Sequence, residues 1–216
     1  MNNLKAIIFD FDGVIVESVD IKTNAFAELY RPYGEEVVKK IINHNIAHGG
    51  ISRYVKFRLY HKEFLGITLS DSKISDLSKK YTKLVLSKVV EAPYVNGAYD
   101  FISKNYRNYD FYISTGTPIG EIITILNRRG LDKFFTEVYG SPETKNTHVK
   151  EIMSKYNYSK DEVVFIGDAL TDRDAARKNG IEFIARDTAL KKLKDEKYLF
   201  NDFIELELII NTLNHE

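Results

Sequence analysis

Short runs of apolar residues recur along the chain. Residues 4–9 form the first run, which ends directly before Asp10. Such a run is too short for a helix, and its continuous apolar character is typical of a parallel strand that is buried on both faces. We therefore predict a buried parallel strand at each run. The predicted strands are residues 4–9, 109–113, 136–139, 163–166 and 182–185.

Helical patterns separate the later strands. Ile119, Ile122 and Leu126 recur at helical spacing, and Gly130 ends their pattern. Alternation of strands and helices is typical of βαβ units, which build a parallel sheet with helices on both faces. We therefore predict an α/β protein with a Rossmann-like, doubly wound parallel sheet. The helices predicted after the second strand are residues 118–129, 147–156 and 169–179, with a last helix on the sheet over 199–216.

The interval between the first and second strands shows helical periodicity only. In its longest pattern, Leu77 and Tyr81 lie one turn apart, and Pro93 ends the pattern because proline disfavours a helical residue before it. Its predicted helices are residues 18–30, 35–45, 52–65 and 71–90. The predicted domains are an α/β core of residues 1–16 and 93–216 and an inserted all-helical cap of residues 17–92.

The composition excludes several classes of protein and site. The 216 residues suffice for one core domain with a smaller inserted one. Lys plus Arg and Asp plus Glu both number 31, so no net charge attracts nucleic acid or an acidic membrane. The chain has no cysteine, which excludes a thiol nucleophile, a cysteine-based zinc site and disulfides.

The apolar stretches also bear on location. None approaches the roughly 18 residues of a membrane span. Asp10 and Asp12 interrupt the first apolar run too early for a signal peptide. We therefore expect a cytoplasmic protein without a nucleic-acid or membrane partner, present as a monomer or a homodimer.

Polar side chains follow four of the predicted strands. Ligands of parallel α/β sheets bind outside the carboxyl ends of the strands, so these side chains are expected to meet at one edge. They are Asp10 and Asp12 after the first strand, Ser114 to Gly116 after the second, Lys145 after the third, and Asp168 and Asp172 after the fourth.

The types of these residues indicate phosphoryl chemistry. Asp10, Asp12 and Asp168 crowd together, and their mutual repulsion demands a cation; oxygen ligation with few protein ligands suits Mg²⁺. Lys145 and hydrogen-bond donors after the second strand can hold phosphoryl oxygens. Since there is neither a cysteine nor a serine triad, a carboxylate is the available nucleophile.

This arrangement resembles the haloacid dehalogenase-like superfamily over nearly the whole chain. Residues 9–18, Phe-Asp-Phe-Asp-Gly-Val-Ile-Val-Glu-Ser, are similar to its first motif, although Glu17 stands where the family carries aspartate. Ser114 is similar to the second motif, Lys145 to the third, and residues 167–172, with Gly-Asp at their start and Asp at their end, to the fourth.

The resemblance implies a role for each motif residue. Asp10 would attack phosphorus and become a phosphoaspartate, while Asp12 would protonate the leaving alcohol and then activate water. The metal would lie on the carboxylates of Asp10 and Asp168 and on the main-chain carbonyl of Asp12. Asp172 would orient Lys145 or a water on the metal. The phosphoryl group would be held by Ser114, Lys145, the Thr115 N–H and the backbone at Gly116.

Two assignments come from other parts of the resemblance. The segment Gly50-Ile51-Ser52-Arg53 is similar to the specificity loop of β-phosphoglucomutase-like caps, and implies that Gly50 and Arg53 face the substrate. Lys150 is a second candidate for the phosphate-binding lysine; we prefer Lys145 because it lies between the strand end and the helix.

Three functions remain open from the sequence. A magnesium-dependent phosphatase acting on a small phosphorylated metabolite, such as a sugar phosphate or phosphoglycolate, uses all four motifs. A phosphomutase of the β-phosphoglucomutase type would share them, but those enzymes carry a cap histidine where this chain has Lys22. A regulatory module on the same fold, without catalysis, would be expected to have lost a motif residue, and none is missing.

Overall fold

The computed structural model describes residues 4–188 and 193–215. In this part of the chain, six parallel strands form one sheet in the order β3-β2-β1-β4-β5-β6, which confirms the predicted doubly wound architecture. The strands are β1 (Ala6–Phe9), β2 (Asp110–Pro118), β3 (Glu137–Ser141), β4 (Val163–Gly167), β5 (Glu182–Arg186) and β6 (Tyr198–Phe200).

The central strands are apolar because helices cover both of their faces. Ile8 of β1 is fully buried and lies between Tyr112 of β2 and Phe165 of β4. Alternate residues of the strands enter two separate hydrophobic clusters, since successive side chains of a strand point to opposite faces. One cluster includes helices α5 (Ala98–Asn105), α6 (Ile119–Arg129) and α9 (Phe203–His215); the other includes α7 (Lys145–Tyr156) and α8 (Leu170–Asn179).

The strand order places a crevice at the end of β1. The chain runs from β1 outward to β2 and β3, and then returns to the other side of β1 for β4 and β5. The connections on the two sides of β1 therefore diverge at its carboxyl end. Such a point is where open α/β sheets bind their ligands.

Four helices between β1 and α5 pack around an aromatic core. They are α1 (Val19–Tyr30), α2 (Glu35–Ala47), α3 (Arg53–Leu65) and α4 (Asp71–Glu91), called the cap helices below. The ring of Phe26 lies 4.5 Å from that of Tyr81 and 5.6 Å from that of Tyr60, measured between centroids. Because these rings come from α1, α3 and α4, they join the three helices within one hydrophobic cluster.

Two short linkers connect the cap helices to the sheet, and they run side by side. The Glu17 N–H donates to the Pro93 carbonyl oxygen at 2.9 Å, and the Val95 N–H donates to the Ile15 carbonyl oxygen at 3.0 Å. Val16 and Tyr94 form the antiparallel bridge between these bonds. We call this pair of linkers the linker ribbon.

Arg129 binds the end of the last cap helix beside the linker ribbon. Its Nη1 donates to the carbonyl oxygens of Val89, Val90 and Ala92 at 2.6 to 3.1 Å. The guanidinium also lies 4.1 Å from the centroid of the Tyr94 ring. The last carbonyls of a helix have no partner within the helix, so this arginine supplies the missing donors of α4.

The chain departs from the sequence prediction at its end and before β2. Leu199 belongs to strand β6, so the predicted helix over 199–216 is wrong in its first residues. Helix α9 begins only after Asp202, whose carboxylate accepts from the N–H groups of Ile204 and Glu205 at 3.0 and 3.1 Å. Helix α5 was not predicted, because only eight residues form it. Glu216 lies outside the described residues.

Across 4–188 and 193–215, every helix is either too short or too polar to span a bilayer.

Replacing Arg129 with methionine should loosen the junction between α4 and the core. Methionine keeps much of the packing but removes donors that serve three carbonyls. We expect a loss of about 2 kcal/mol in the free energy of unfolding, the size of a hydrogen-bond loss to a charged group. Urea unfolding measures it. The neighbouring Arg128 is exposed, and Arg128→Met should leave stability unchanged; equal losses in both variants would contradict the assigned role of Arg129.

Candidate active site

Three carboxylates meet at the crevice. Asp10 directly follows β1, Asp168 directly follows β4, and Asp172 lies in the first turn of α8. One oxygen of each lies within 4.8 Å of those of the other two. We call Asp10, Asp168 and Asp172 the acidic cluster.

Lys145 lies against the acidic cluster. It is the first residue of α7, and its Nζ is 2.7 Å from Asp10 Oδ2 and 2.5 Å from Asp172 Oδ1. Burial opposes its charge, but the attraction of the two aspartates outweighs burial and raises the pKa of Lys145 above its ordinary value. Lys150, the other candidate, is exposed further along the helix.

The acidic cluster carries more negative charge than one lysine balances. Burial, together with the charges of Asp10 and Asp172, raises the pKa of Asp168 well above its usual range. Burial also raises the pKa of Asp172 to about 7, with a further contribution from Asp10 and an opposing one from Lys145. Crowded hard oxygen donors of this kind fit a divalent cation such as Mg²⁺, which would remove the repulsion between them.

Asp12 has a different environment from Asp10. The Ser18 hydroxyl donates to its Oδ1 at 2.6 Å, the Thr117 hydroxyl donates to its Oδ2 at 3.1 Å, and the Lys22 ammonium also donates to Oδ2. Burial alone would raise its pKa, but the charge and hydrogen bonds of Lys22 and the two hydroxyls lower the pKa of Asp12 below its ordinary value. Its carboxylate is therefore held as an anion outside the acidic cluster.

The hydroxyls at the end of β2 divide between two faces. Thr115 and Thr117 line the cavity beside Asp10 and Asp12. Ser114 is fully buried, and its Oγ lies 2.9 Å from His148 Nδ1 of α7 instead. Burial and the nearby Lys145 charge lower the pKa of that histidine to about 4. The placement of Ser114 against α7 does not agree with its predicted role in holding a phosphoryl group; the next residue, Thr115, lines the cavity instead.

The cap loop approaches the core at two glycines. Gly50 has a φ of +74°, and a Cβ there would lie 2.0 Å from Thr171 Oγ1. A Cβ on Gly116 would lie 2.6 Å from the carbonyl oxygen of Gly50. A side chain at Gly116 would therefore push the backbone of Gly50 away from the core, and a side chain at Gly50 would strain its positive-φ backbone and displace the Thr171 hydroxyl. Both predicted residues line the cavity.

Arg53 lines the same cavity, but its charged end contacts the core. Its Nη2 donates to Glu121 Oε1 at 2.5 Å, and its Nη1 donates to Glu121 Oε2 at 2.8 Å. Thr82 Oγ1 accepts a further bond from Nη1 at 2.9 Å. The guanidinium predicted to face the substrate is thus engaged with protein groups.

The cavity between the cap helices and the crevice has a volume of about 100 Å³. This is smaller than the roughly 300–1,000 Å³ of common ligand pockets. Its polar wall is formed by Asp10, Asp12, Lys22, Asn45, Arg53, Lys56, Thr115, Thr117 and Asp168, and its apolar wall includes Val19, Phe26 and Tyr81. The space suits a small polar molecule.

Sequence reasoning did not assign the contacts of Thr117, Lys22 and Glu121 in this site, although it noted Lys22 at the position of the mutase histidine. Lys22 contacts Asp12 and also donates to Thr117 Oγ1 at 2.5 Å, while Glu121 neutralises Arg53. Thr117 could have been found, because it lies two residues beyond Thr115 and shares its face of the strand. The roles of Lys22 and Glu121 depend on how the cap packs on the core, which no local pattern records.

Comparison with known proteins identifies the family. Residues 7–186 match the haloacid dehalogenase-like hydrolases. The chain belongs to this family. The match begins within β1 and ends with β5, so it includes the acidic cluster, Lys145 and the cap helices of this haloacid dehalogenase-like hydrolase.

Individual relatives are more distant. The chain is 24% identical over 198 residues to the phosphorylated carbohydrates phosphatase of Thermotoga maritima, a match that covers 84% of both proteins. A β-phosphoglucomutase from Clostridium difficile superposes with a TM-score of 0.81 at 19% identity, covering 98% of each chain. A predicted phosphoglycolate phosphatase from Haemophilus somnus superposes with a TM-score of 0.75 at 16% identity, covering 97% of this chain and 99% of the other. These structures share the fold of this hydrolase.

Mg²⁺ should stabilise the protein more as the pH rises. The raised pKa values of Asp168 and Asp172 mean that the metal-free fold binds protons more tightly than the unfolded chain. This proton binding contributes fully to the stability of the metal-free fold below pH 3.8, the ordinary aspartate pKa. The contribution is lost as the pH rises through about 7, the pKa of Asp172 in the folded protein. Since a cation binds the ionised carboxylates, its effect grows over the same window.

Thermal unfolding in MgCl2 and in EDTA from pH 5 to pH 8 measures this effect. The difference in Tm should increase with pH, and Asp168→Asn should abolish most of it. Asp174→Asn is the matched control, because Asp174 is exposed and pairs with Arg173 at the surface. A Tm difference that does not change with pH would contradict the charge balance described for the acidic cluster.

Proposed function

We propose that the protein is a magnesium-dependent phosphatase that hydrolyses a small phosphorylated metabolite through a phosphoaspartate on Asp10. One observation carries the proposal. The two aspartates at the end of β1 occupy opposite environments: Asp10 contacts Lys145 within the acidic cluster, while Asp12 is held apart by Ser18 and Lys22. Two carboxylates in distinct environments can take different roles in one reaction.

Asp10 is the nucleophile of the proposed reaction. The Phe11 N–H donates to its Oδ1 at 2.7 Å and Lys145 lies on its Oδ2, so the carboxylate is fixed at the mouth of the crevice. An Asp10 oxygen forms a bond to phosphorus as the bond from phosphorus to the ester oxygen breaks. The product of this step is an acyl phosphate on Asp10 and a free alcohol.

Asp12 moves the protons. The negative charge of an arriving phosphoryl group raises the affinity of Asp12 for a proton, so Asp12 takes a proton from solvent as the substrate binds and then gives it to the leaving alkoxide. In the second step Asp12 takes a proton from water, whose oxygen attacks phosphorus. The bond from phosphorus to Asp10 breaks, and inorganic phosphate leaves. Asp12 then releases the proton taken from water to solvent, so both aspartates end as carboxylates, as they began.

Mg²⁺ fits the donors present here. Asp10, Asp168 and the main-chain carbonyl of Asp12 are the proposed ligands, with Asp172 orienting Lys145 through their 2.5 Å bond. When bound, the ion neutralises charge that accumulates on phosphoryl oxygens in the transition state.

Donors for the phosphoryl group lie beside the acidic cluster and in the cavity lining. Lys145 presents its ammonium from α7, and Thr115 and Gly116 line the cavity at the end of β2. A cation and backbone or hydroxyl donors around one position are the means by which proteins stabilise a transferring phosphoryl group. We therefore assign phosphoryl binding to Lys145, Thr115 and Gly116.

A small phosphorylated carbohydrate is the proposed substrate class. The cavity of about 100 Å³ limits the size of the leaving group, and its wall carries hydrogen-bonding side chains such as Asn45 and Lys56. The relative from Thermotoga maritima is named for phosphorylated carbohydrates, and a neighbour is named for phosphoglycolate. Sugar phosphates and phosphoglycolate are accordingly the first compounds to test.

Phosphate release from a panel of small phosphomonoesters tests the proposal. We expect release with MgCl2 and none with EDTA. Asp10→Asn should lower kcat by at least about a thousandfold, because the amide cannot attack phosphorus. Asp174→Asn, at an exposed position, is the control for a neutralised aspartate outside the site and should keep full activity.

Two outcomes would contradict the phosphatase. Full activity of Asp10→Asn would rule out a phosphoaspartate intermediate on Asp10. Conversion of a hexose 1-phosphate into its 6-phosphate isomer, without net release of phosphate, would identify a phosphomutase; Lys22, bound to Asp12, would then perform the role of the mutase histidine.

A further inference from the structure

Arg53 and Glu121 join the cap helices to the core. Arg53 is the first residue of α3, whereas Glu121 lies in the first turn of α6 on the core. Both side chains are 4% exposed; Arg53 Nη1 donates to Glu121 Oε2, and Nη2 donates to Oε1. The pair is therefore buried and bidentate, unlike the exposed pair of Arg58 and Asp71 within the cap.

Neighbouring groups complete the binding of this pair. Thr82 of α4 donates to Glu121 Oε2 at 2.5 Å and accepts from Arg53 Nη1. The Tyr81 ring lies under the guanidinium, 4.4 Å from its carbon. Burial would raise the pKa of Glu121, but the hydrogen bonds and charge of Arg53 lower it below its ordinary value. Glu121 is thus ionised where the cap meets the core.

A buried ion pair between two parts of a protein resists their separation. A bidentate arginine–carboxylate pair has a defined geometry, so it also fixes the position of α3 over α6. Removing one partner leaves the other charge buried without compensation, which is far more unfavourable than removing both.

We propose that Arg53 and Glu121 form a latch that holds the cap closed, and that Glu121 thereby keeps Arg53 from binding a second anionic group of the substrate. The second part rests on the proposed phosphatase function; the first does not. Arg53 lines the cavity and Glu121 does not, yet both terminal nitrogens of Arg53 are bound to Glu121, so an anion in the cavity would have to compete with Glu121 for the guanidinium. Glu121 is a positioning and specificity-determining residue in this scheme.

The latch is tested without any substrate. Because the chain has no cysteine, Glu63→Cys in the cap and Lys178→Cys in the core, both at exposed positions, can carry a fluorophore pair. We expect Glu121→Gln and Arg53→Gln each to increase the mean distance between the dyes. The double variant should show no larger increase than either single one, since both remove the same interaction. Arg58→Gln, which breaks the exposed cap pair, should leave the distance unchanged.

A charge-exchanged variant distinguishes loss of the ion pair from general disruption of the fold. Arg53→Glu combined with Glu121→Arg should return the distance toward the original value, while Arg53→Glu alone should not. Circular dichroism confirms that each variant is folded. Glu121→Gln that leaves the distance unchanged in a folded protein would overturn the latch, as would additive effects of the two glutamine substitutions.

The specificity of the site is tested with two sugar phosphates. We compare kcat/KM for glucose 1,6-bisphosphate with that for glucose 6-phosphate. Glu121→Gln should raise this ratio at least tenfold, because it frees Arg53 for the second phosphate, whereas Arg53→Gln should not raise it. An unchanged ratio in Glu121→Gln would overturn the second part. Absence of hydrolysis in every protein would contradict the phosphatase and this part together, and would leave the distance measurement as the test of the latch.

Discussion

Burial of several carboxylates at one sheet edge is the constraint on which the rest of the molecule depends. The acidic cluster and Asp12 lie close together at the end of β1. Burial of the acidic cluster and repulsion between the carboxylates both oppose the ionisation of Asp168. Lys145 balances part of this charge from the core, and Lys22 balances another part from the cap. The remaining negative charge is what suits the site to a divalent cation. Charge balance thus connects the sheet, the cap and the proposed chemistry.

Much of the fold was predictable because buried parallel strands are short and continuously apolar. Residues 4–9 and 163–166 have this character, and they form the two central strands β1 and β4. The pattern is weaker at the edge of the sheet. Strand β6 has only three residues and begins with a half-buried tyrosine, Tyr198, so it was assigned to the following helix. Short elements such as β6 are determined by tertiary pairing more than by local sequence.

The candidate site was predictable where it depends on strand ends and not where it depends on docking. Asp10, Asp168 and Lys145 each follow or precede an element with a strong pattern, so topology alone brings them together. The choice between Ser114 and Thr115 depends on which way a single residue points at the end of β2. Glu121 gives no local signal, because an acidic residue in the first turn of a helix is common on solvent-exposed surfaces.

The linker ribbon has a consequence for how the cap can move. A domain attached by one flexible tether can swivel in any direction. Here the two crossings are bonded to each other through Glu17 and Pro93 and through Val95 and Ile15, so neither can twist without the other. We therefore expect rotation about an axis across the linker ribbon to be favoured over free swivelling. Such a restriction would return the same cap surface to the crevice whenever the cap closes, and would shorten the search for the closed geometry.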